Sequence, residues 1–422
     1  MTKKRKSSRL MTFFSKLGPG LITGASDDDP SGIATYSQAG AQFGLATLWT
    51  ALITFPLMAI MQAICARIGM AASAGLIYII KEHYPKPLLY LIVLLSFPAI
   101  VLNIGADIAG MGAVANLVFP QLPSYVFSIA FTLLLMPAIV FLSYKKLTAV
   151  LKYLCLSLLL YLIVPFLVKQ NWMDVLKHTF IPTLHFNKEF ISILVAILGT
   201  TISPYLFFWQ ATMEAENKHQ EAQKLMVVDK RTVKDVGWDV SAGMLTSNLV
   251  MYFIILTTGT ILFQGGIHHI ETVEQAAKAL EPLAGKLSYL LFAFGIIGTG
   301  LIAIPVLSGC LSYMLTTAFN WQGGLDRRLR QAKAFYLIIA LSLLLGLAIN
   351  FIGLSPIRAL LITAMLYGIT APVLILIVMH IAQNKKIMGS LVNGWWFNIL
   401  GYLAFLLMAA AALLLLYFQF FG

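Results

Sequence analysis

Apolar runs of about 20 residues recur along the whole chain, the last of them ending in LLLLYFQFF at 413–421. About 20 residues of helix rise roughly 30 Å, the thickness of a bilayer's hydrocarbon core. Inside that core the backbone must satisfy its own hydrogen bonds, so only helices or closed barrels can cross. Barrel strands alternate polar and apolar residues in segments of about 10, and these runs do not. The chain therefore reads as an all-α polytopic membrane protein whose main partner is the lipid bilayer. Only 11% of its residues are charged, against about 25% in soluble domains.

Eleven spans can be placed, at about 17–43, 45–70, 88–118, 122–143, 148–169, 189–216, 238–264, 285–318, 334–353, 356–381 and 395–420. Turn residues and charge separate them, as in YPKP at 84–87, GGLDRRLR at 323–330 and QNKK at 383–386. The net charge of +12 would suggest nucleic acid in a soluble protein. Here the charge sorts by loop: with the N-terminus inside, 23 of the 29 lysines and arginines fall on the cytosolic side. That is the positive-inside bias, and it places the N-terminus in the cytosol and the C-terminus outside, with no nucleic-acid partner. A bacterial inner membrane is the expected location. MTKKRKSSRL reads as a cytosolic tail because no apolar signal core follows it. Cys65, Cys155 and Cys310 lie far apart in apolar runs and read as buried thiols.

Two spans are interrupted. The first contains Asp27-Asp28-Asp29-Pro30-Ser31-Gly32 and the sixth Gly199-Thr200-Thr201-Ile202-Ser203-Pro204-Tyr205. Proline removes a helix donor and clashes with the preceding turn, so both segments are expected to unwind at mid-membrane depth. The two prolines are five spans apart. An odd number puts the two five-span units in opposite orientations, the pattern of secondary transporters whose site lies between broken helices. The expected organisation is a tail at 1–16, a first repeat at 17–170, an extracellular loop at 171–188, a second inverted repeat at 189–381 and an extra span at 395–420.

Intramembrane carboxylates are functional by default. Carboxylates and freed carbonyls make a cation site, with Asp29 beside the proline as first ligand, Asp28 second and Asp27 third. The second break adds only oxygen groups: Thr200, Thr201, Ser203, Tyr205 and backbone carbonyls. An all-oxygen set suits magnesium, calcium or manganese better than copper, zinc or ferrous iron. Asp107 lies mid-span and reads as a proton site, a vestibule charge or a hydrogen-bonded acid. IHHIETVE at 267–274 reads by default as a solvated loop helix, the alternative being His268, Glu271 and Glu274 on one helical face as a metal-collecting patch. No nucleotide loop or nucleophile motif suggests an enzyme, and no cofactor is called for.

At the first break GPGLITGASDDDPSGIATYSQAGAQFG resembles the first span of the NRAMP family of divalent metal transporters, and Ala-Arg-Ile-Gly at 66–69 resembles the end of its second. The resemblance implies a LeuT-like fold of two inverted five-helix repeats plus an eleventh helix, with a divalent metal ion as transported partner. The family's Asp-Pro-Gly-Asn stands here as Asp29-Pro30-Ser31-Gly32, which keeps the Asp ligand and loses the Asn at Gly32. Its Met-Pro-His stands as Ser203-Pro204-Tyr205, so a soft thioether and a titratable imidazole are both gone. In NIGADIAGMGA the family's Asp is kept at Asp107 and a following Glu is Gly110, while a tenth-span Gln stands as Ala364. These departures resemble the NRAMP-related magnesium transporters. The expectation is uptake of partly hydrated magnesium, with manganese second and no proton coupling. Metal ligands would be Asp29, Asp28, Gly32, Thr200 and Ser203, with Asp107, Tyr205 and Asp27 as vestibule or proton groups. The alternatives are a proton-coupled manganese or iron symporter and an amino-acid or organic-solute transporter on the same architecture. The oligomeric state is left open.

Overall fold

The computed structural model describes residues 23–24, 26–141, 160–222 and 230–421. Every regular element among them is helical. The expected cytosolic tail, the first residues of the first span, most of the fifth span, Cys155 and residues 223–229 between the sixth and seventh spans lie outside the described residues.

The main helices are α1 (Pro30–Phe43), α2 (Trp49–Ala72), α3 (Leu76–His83), α4 (Lys86–Val118), α5 (Ser124–Phe141), α6 (Trp172–Phe180), α7 (Lys188–Thr201), α8 (Pro204–Ala222), α9 (Lys230–Ile261), α10 (Ser288–Ala318), α11 (Lys333–Ile349), α12 (Pro356–Gln383) and α13 (Trp395–Phe421). Local chemistry sets their ends. Gly44, at φ 58°, closes α1 in a conformation other residues avoid. Asn187 caps α7 by accepting from the Phe190 N–H at 2.8 Å. Ser355 caps α12, with Pro356 in its first turn.

Most of the expected spans match these helices within a few residues, as 356–381 does Pro356–Gln383, while α9 begins at Lys230, ahead of the expected 238, and α8 runs on to Ala222, past the expected 216. The fifth differs. From residue 160 onward the expected span at 148–169 is a series of tight turns, including the 3-10 turn Val164–Phe166, and not α-helix. Pro165 at the start of that turn accounts for the loss of α-geometry.

Helix α1 packs on α9, α7 and α12, while α4 packs on α10, α12 and α11. The pairing of α1 with α9 is matched by that of α8 with α2, and the contact of α1 with α7 joins the two broken spans directly. Lipid gives helices no hydrophobic reason to associate, so small residues that allow close backbone approach hold such bundles together. A Cβ on Gly40 would lie 2.0 Å from Thr258 Oγ1 of α9, and one on Gly69 2.1 Å from the Ala211 carbonyl of α8. Cys65 and Cys310 are buried free thiols within this core.

Candidate functional site

Both expected breaks are present, and both are shorter than the sequence suggests. Thr23, Gly24, Ser26 and Asp27 are helical, Asp28 bends, Asp29 is extended, and helix resumes at Pro30. In the other half α7 ends at Thr201 and α8 starts at Pro204, leaving Ile202 and Ser203 between. Each proline opens a helix, where its missing N–H costs nothing. Gly32 therefore lies in the first turn of α1 and not in unwound chain. Its N–H donates to Asp29 Oδ1 at 2.8 Å.

The three aspartates are buried, at 1%, 4% and 2% exposure for Asp27, Asp28 and Asp29, and no cationic side chain pairs with them among the described residues. Neutral donors hold them instead. Asp29 caps α1: besides Gly32, the Ser31 hydroxyl donates to its Oδ1 at 2.6 Å, and Asn103 Nδ2 of α4 donates to its Oδ2 at 2.9 Å. Asp27 and Asp28 share one hydroxyl. Ser247 Oγ of α9 lies 2.8 Å from Asp27 Oδ2 and 3.0 Å from Asp28 Oδ1. A hydroxyl carries one proton, so it serves one carboxylate at a time, and Asp27 Oδ1 has no partner among the described residues.

The second break lies against the first. Thr200 Oγ1 would sit 3.2 Å from a Cβ on Gly32, which brings the end of α7 onto the start of α1. The Tyr36 hydroxyl lies 3.3 Å from Thr201 Oγ1. Ser203 turns back on its own helix end, donating to the Thr200 carbonyl at 2.5 Å. Tyr205 reaches across, its hydroxyl donating to the Ser26 carbonyl at 2.9 Å. Two of the carbonyls freed by the breaks are thus taken by hydroxyls from the second break.

Asp107 is fully buried on α4, and neither of its oxygens has a hydrogen-bond partner among the described residues. Among the described residues no group of three or more His, Cys, Asp or Glu side chains is arranged to hold a metal ion. A cation here must draw on carbonyls, hydroxyls and its own water beside one or two carboxylates. Ala364 packs at this level too: a Cβ on Gly199 would lie 2.1 Å from its carbonyl.

Sequence reasoning missed Asn103, Ser247 and Tyr367. The first two bond the aspartates, and the Tyr367 ring packs 5.6 Å from that of Tyr205. Their one signal is polarity within an apolar span, as in Ser247-Asn248 and Asn103. The expectation of a loop helix through IHHIETVE is corrected: residues 268–271 are irregular and helix begins only at Val273. Helical i, i+3 spacing therefore does not align His268 with Glu271. Gln38 of α1 prevents helix there, binding the His268 carbonyl at 3.3 Å and the Ile270 N–H at 2.9 Å.

Above the breaks a vestibule of about 980 Å3 opens between α1, α7 and α12. Gln42, Glu189, Glu271 and Arg358 line it, and Ala196 and Met365 lie deeper along their helices. Ala196 is one helical turn from Thr200, so the opening stops just short of the second break. On the opposite side the Tyr313 hydroxyl of α10 donates to Glu216 Oε1 of α8 and accepts from the Leu325 N–H at 2.9 Å. Lys81 of α3 donates to the Thr317 carbonyl at 2.8 Å. These bonds tie α3, α8 and α10 together there.

The fold is shared with solved transporters. A manganese transporter from Eremococcus coleocola superposes with a TM-score of 0.77 at 17% identity, covering 99% of this chain and 88% of that one. Mhp1, a nucleobase-cation-symport-1 family transporter, superposes with a TM-score of 0.51 at 13% identity, covering 93% of this chain and 90% of that one. In sequence the chain is 27% identical over 409 residues to a divalent metal cation transporter MntH of Clostridium acetobutylicum, covering 96% of this chain and 91% of the relative. It is 22% identical over 397 residues to the MntH of Bacillus subtilis, covering 93% and 90%. The profile of the natural resistance-associated macrophage protein-like family matches residues 20–418. With that match spanning nearly all of its length, the chain belongs to the NRAMP family.

Proposed function

We propose that this protein is a secondary transporter that imports divalent cations, magnesium first and manganese second, without coupled proton movement. The observation that carries the reading is the chemistry where the two breaks meet. Asp29 Oδ1 and Oδ2, Thr200 Oγ1 and Ser203 Oγ are all hard oxygen groups, and positions 203 and 205 carry a hydroxyl and a phenol in place of sulfur and imidazole. Such donors favour magnesium and manganese over softer ions. The relatives named as divalent metal cation and manganese transporters support the same class of cargo.

The proposed site residues are Asp29 and Asp28, with Thr200, Ser203 and the backbone near Gly32. Asp27, Asp107 and Tyr205 line the surroundings. The proposed units are residues 17–170 and 189–381, with a tail at 1–16, a loop at 171–188 and an added span at 395–420. The charge bias puts the vestibule outside, so an ion enters there and leaves when the bonds around Tyr313 open. An inside-negative potential contributes about 2.3 kcal/mol per elementary charge per 100 mV, or about 4.6 kcal/mol for a divalent ion. That suffices for uptake without protons.

Purified protein in liposomes, with magnesium and pH dyes inside and a negative potential imposed, tests this. Magnesium influx without acidification is the expected result. A second reading, a proton-coupled manganese or iron symporter, is favoured by Asp107, a buried acid without a partner among the described residues. Manganese influx with acidification and no magnesium influx would establish it instead.

Ser247→Ala leaves Asp27 and Asp28 without their shared donor. Losing a hydrogen bond to a charged group costs about 1.5–3 kcal/mol, so the initial rate of magnesium uptake is expected to fall about tenfold. Ser247→Thr, which keeps the hydroxyl, is expected to retain most of it. Equal rates for the alanine and threonine variants would remove Ser247 from the site.

A further inference from the structure

On the side opposite the vestibule α10 ends at Ala318 and α11 begins at Lys333. The segment between them, FNWQGGLDRRLRQA, lies where two spans leave the bilayer. Three of its side chains are large, apolar and exposed: Phe319 at 48%, Trp321 at 51% and Leu329 at 43%. The Phe319 and Trp321 rings stack, with centroids 5.1 Å apart. Arg327, Arg328 and Arg330 are exposed on the same segment, Lys333 follows them, and Asp326 is its one carboxylate. Exposed aromatic rings are unfavourable in water, whereas tryptophan concentrates at the headgroup level of a membrane. Clustered Lys and Arg beside a span attract anionic lipid.

Hydrogen bonds fix the segment to the inner side. The Trp321 N–H donates to the Thr316 carbonyl at 2.8 Å and seats the ring stack on the end of α10. The Leu325 N–H donates to the Tyr313 hydroxyl at 2.9 Å, and the Tyr336 hydroxyl of α11 donates to the Arg327 carbonyl at 2.7 Å. Tyr313 is the residue that bonds Glu216 of α8. Gly324 passes the same carboxylate: a Cβ there would lie 3.6 Å from Glu216 Oε1 and 3.7 Å from Arg327 Cγ. The backbone that displays the arginines is therefore held by the bonds that keep the inner side shut.

We propose that residues 319–333 bind the phosphate headgroups of anionic lipids, and that a bound lipid holds the inner side closed. A guanidinium presents a planar fork that grips phosphate through two parallel bonds, and Arg327, Arg328 and Arg330 bring three of them together. Phe319 and Trp321 supply the apolar contact beside the lipid's glycerol and upper acyl chain. A ligand shifts a conformational equilibrium only by binding one state better. Here the preference has a source: opening breaks the Tyr313–Leu325 bond and releases the backbone that sets the arginines. The lipid acts as a brake on release of the ion, at a site separate from the breaks. Its placement in the cytosolic leaflet rests on the orientation given by the charge bias.

The test begins with melting of the full chain in a neutral detergent with added phosphatidylglycerol, phosphatidylcholine or free glycerol phosphate. Phosphatidylglycerol is expected to raise the melting temperature by several degrees, since a ligand that binds only the folded chain stabilises it. The other two are expected to leave it unchanged. A double variant, Arg328→Gln with Arg330→Gln, changes two exposed side chains. It is expected to melt like the wild type without lipid and to need at least about tenfold more phosphatidylglycerol for the same rise. An equal rise with phosphatidylcholine, with glycerol phosphate or in the double variant would overturn the lipid site. Influx of magnesium and of manganese into vesicles then tests the brake. In phosphatidylglycerol vesicles the wild type and the double variant face the same surface charge, so accumulation of cations there cancels in their ratio. The double variant is expected to transport at least about fivefold faster than the wild type in these vesicles, and equally fast in phosphatidylcholine. Equal rates in both kinds of vesicle would overturn the brake. Absence of influx of either ion in any vesicle would overturn the transport reading and the brake with it, while the melting result decides the lipid site on its own.

Discussion

Asp29→Asn is expected to fold like the wild type and to lose magnesium uptake at least about a hundredfold. The side chain has two separable roles. As a cap it accepts from the Gly32 N–H and the Ser31 hydroxyl at the start of α1, and asparagine caps helices about as well as aspartate. The new amide also faces the Asn103 amide, whose Oδ1 can turn to accept from it. What the substitution removes is charge. Unit charges about 4 Å apart attract by about 4 kcal/mol at an effective dielectric constant of 20, and a divalent ion doubles this. Desolvation cancels most of it, yet a net loss of about 2.7 kcal/mol is a hundredfold. Asp29→Ala is expected to lose uptake equally and to melt lower in detergent, since a lost cap costs about 0.5–2 kcal/mol. Melting curves beside uptake rates separate the two roles. Asp29→Asn uptake above half of wild type would move the ion to Asp27 and Asp28.

The fold was legible because its main signals are local. Each apolar run of helical length is a span on its own terms, and Pro30 and Pro204 mark the breaks by their chemistry. The extent of the breaks was misjudged for the same reason: proline was read as a disruptor, whereas here it begins α1 and α8 in the one turn that tolerates it. Gly32, expected in unwound chain, is held in that turn by the Asp29 cap. The partners of the aspartates were not legible. Asn103 is 74 residues from Asp29 and Ser247 is 220 from Asp27, and nothing in their own neighbourhoods announces the contact. The loop at 268–271 failed likewise, its shape being set by Gln38 some 230 residues away. What the sequence encoded locally it showed; what depends on helix faces meeting in the bundle it withheld.

Gly199→Ala is expected to lower the rate of transport more than about tenfold, although it adds one methyl group and improves helix propensity. The added Cβ would lie 2.1 Å from the Ala364 carbonyl oxygen and 2.3 Å from the Gly368 N of α12. Both are backbone atoms of a packed helix and cannot swing aside as a side chain does. Carbon–oxygen contacts between packed helices begin near about 3.3 Å, so α7 and α12 must part by roughly 1 Å or more. Gly368 interlocks from the other side, where its own Cβ would meet the Val195 carbonyl at 2.5 Å. Thr200 and Thr201 follow Gly199 directly, so the displacement falls on the second break and on its contact with Gly32. Overpacking of this kind costs about 1–3 kcal/mol, which lowers the melting temperature as well as the rate. Gly110→Ala is the control. It too lies in the core beside Pro30, but its Cβ would meet Leu360 Cδ1 at 3.4 Å and Pro30 Cβ at 3.7 Å, ordinary contact distances. Near wild-type uptake is expected from it, and more than about tenfold loss from Gly199→Ala, in keeping with that overpacking cost. Equal uptake by the two variants would mean that the α7–α12 contact yields freely and does not set the geometry of the break.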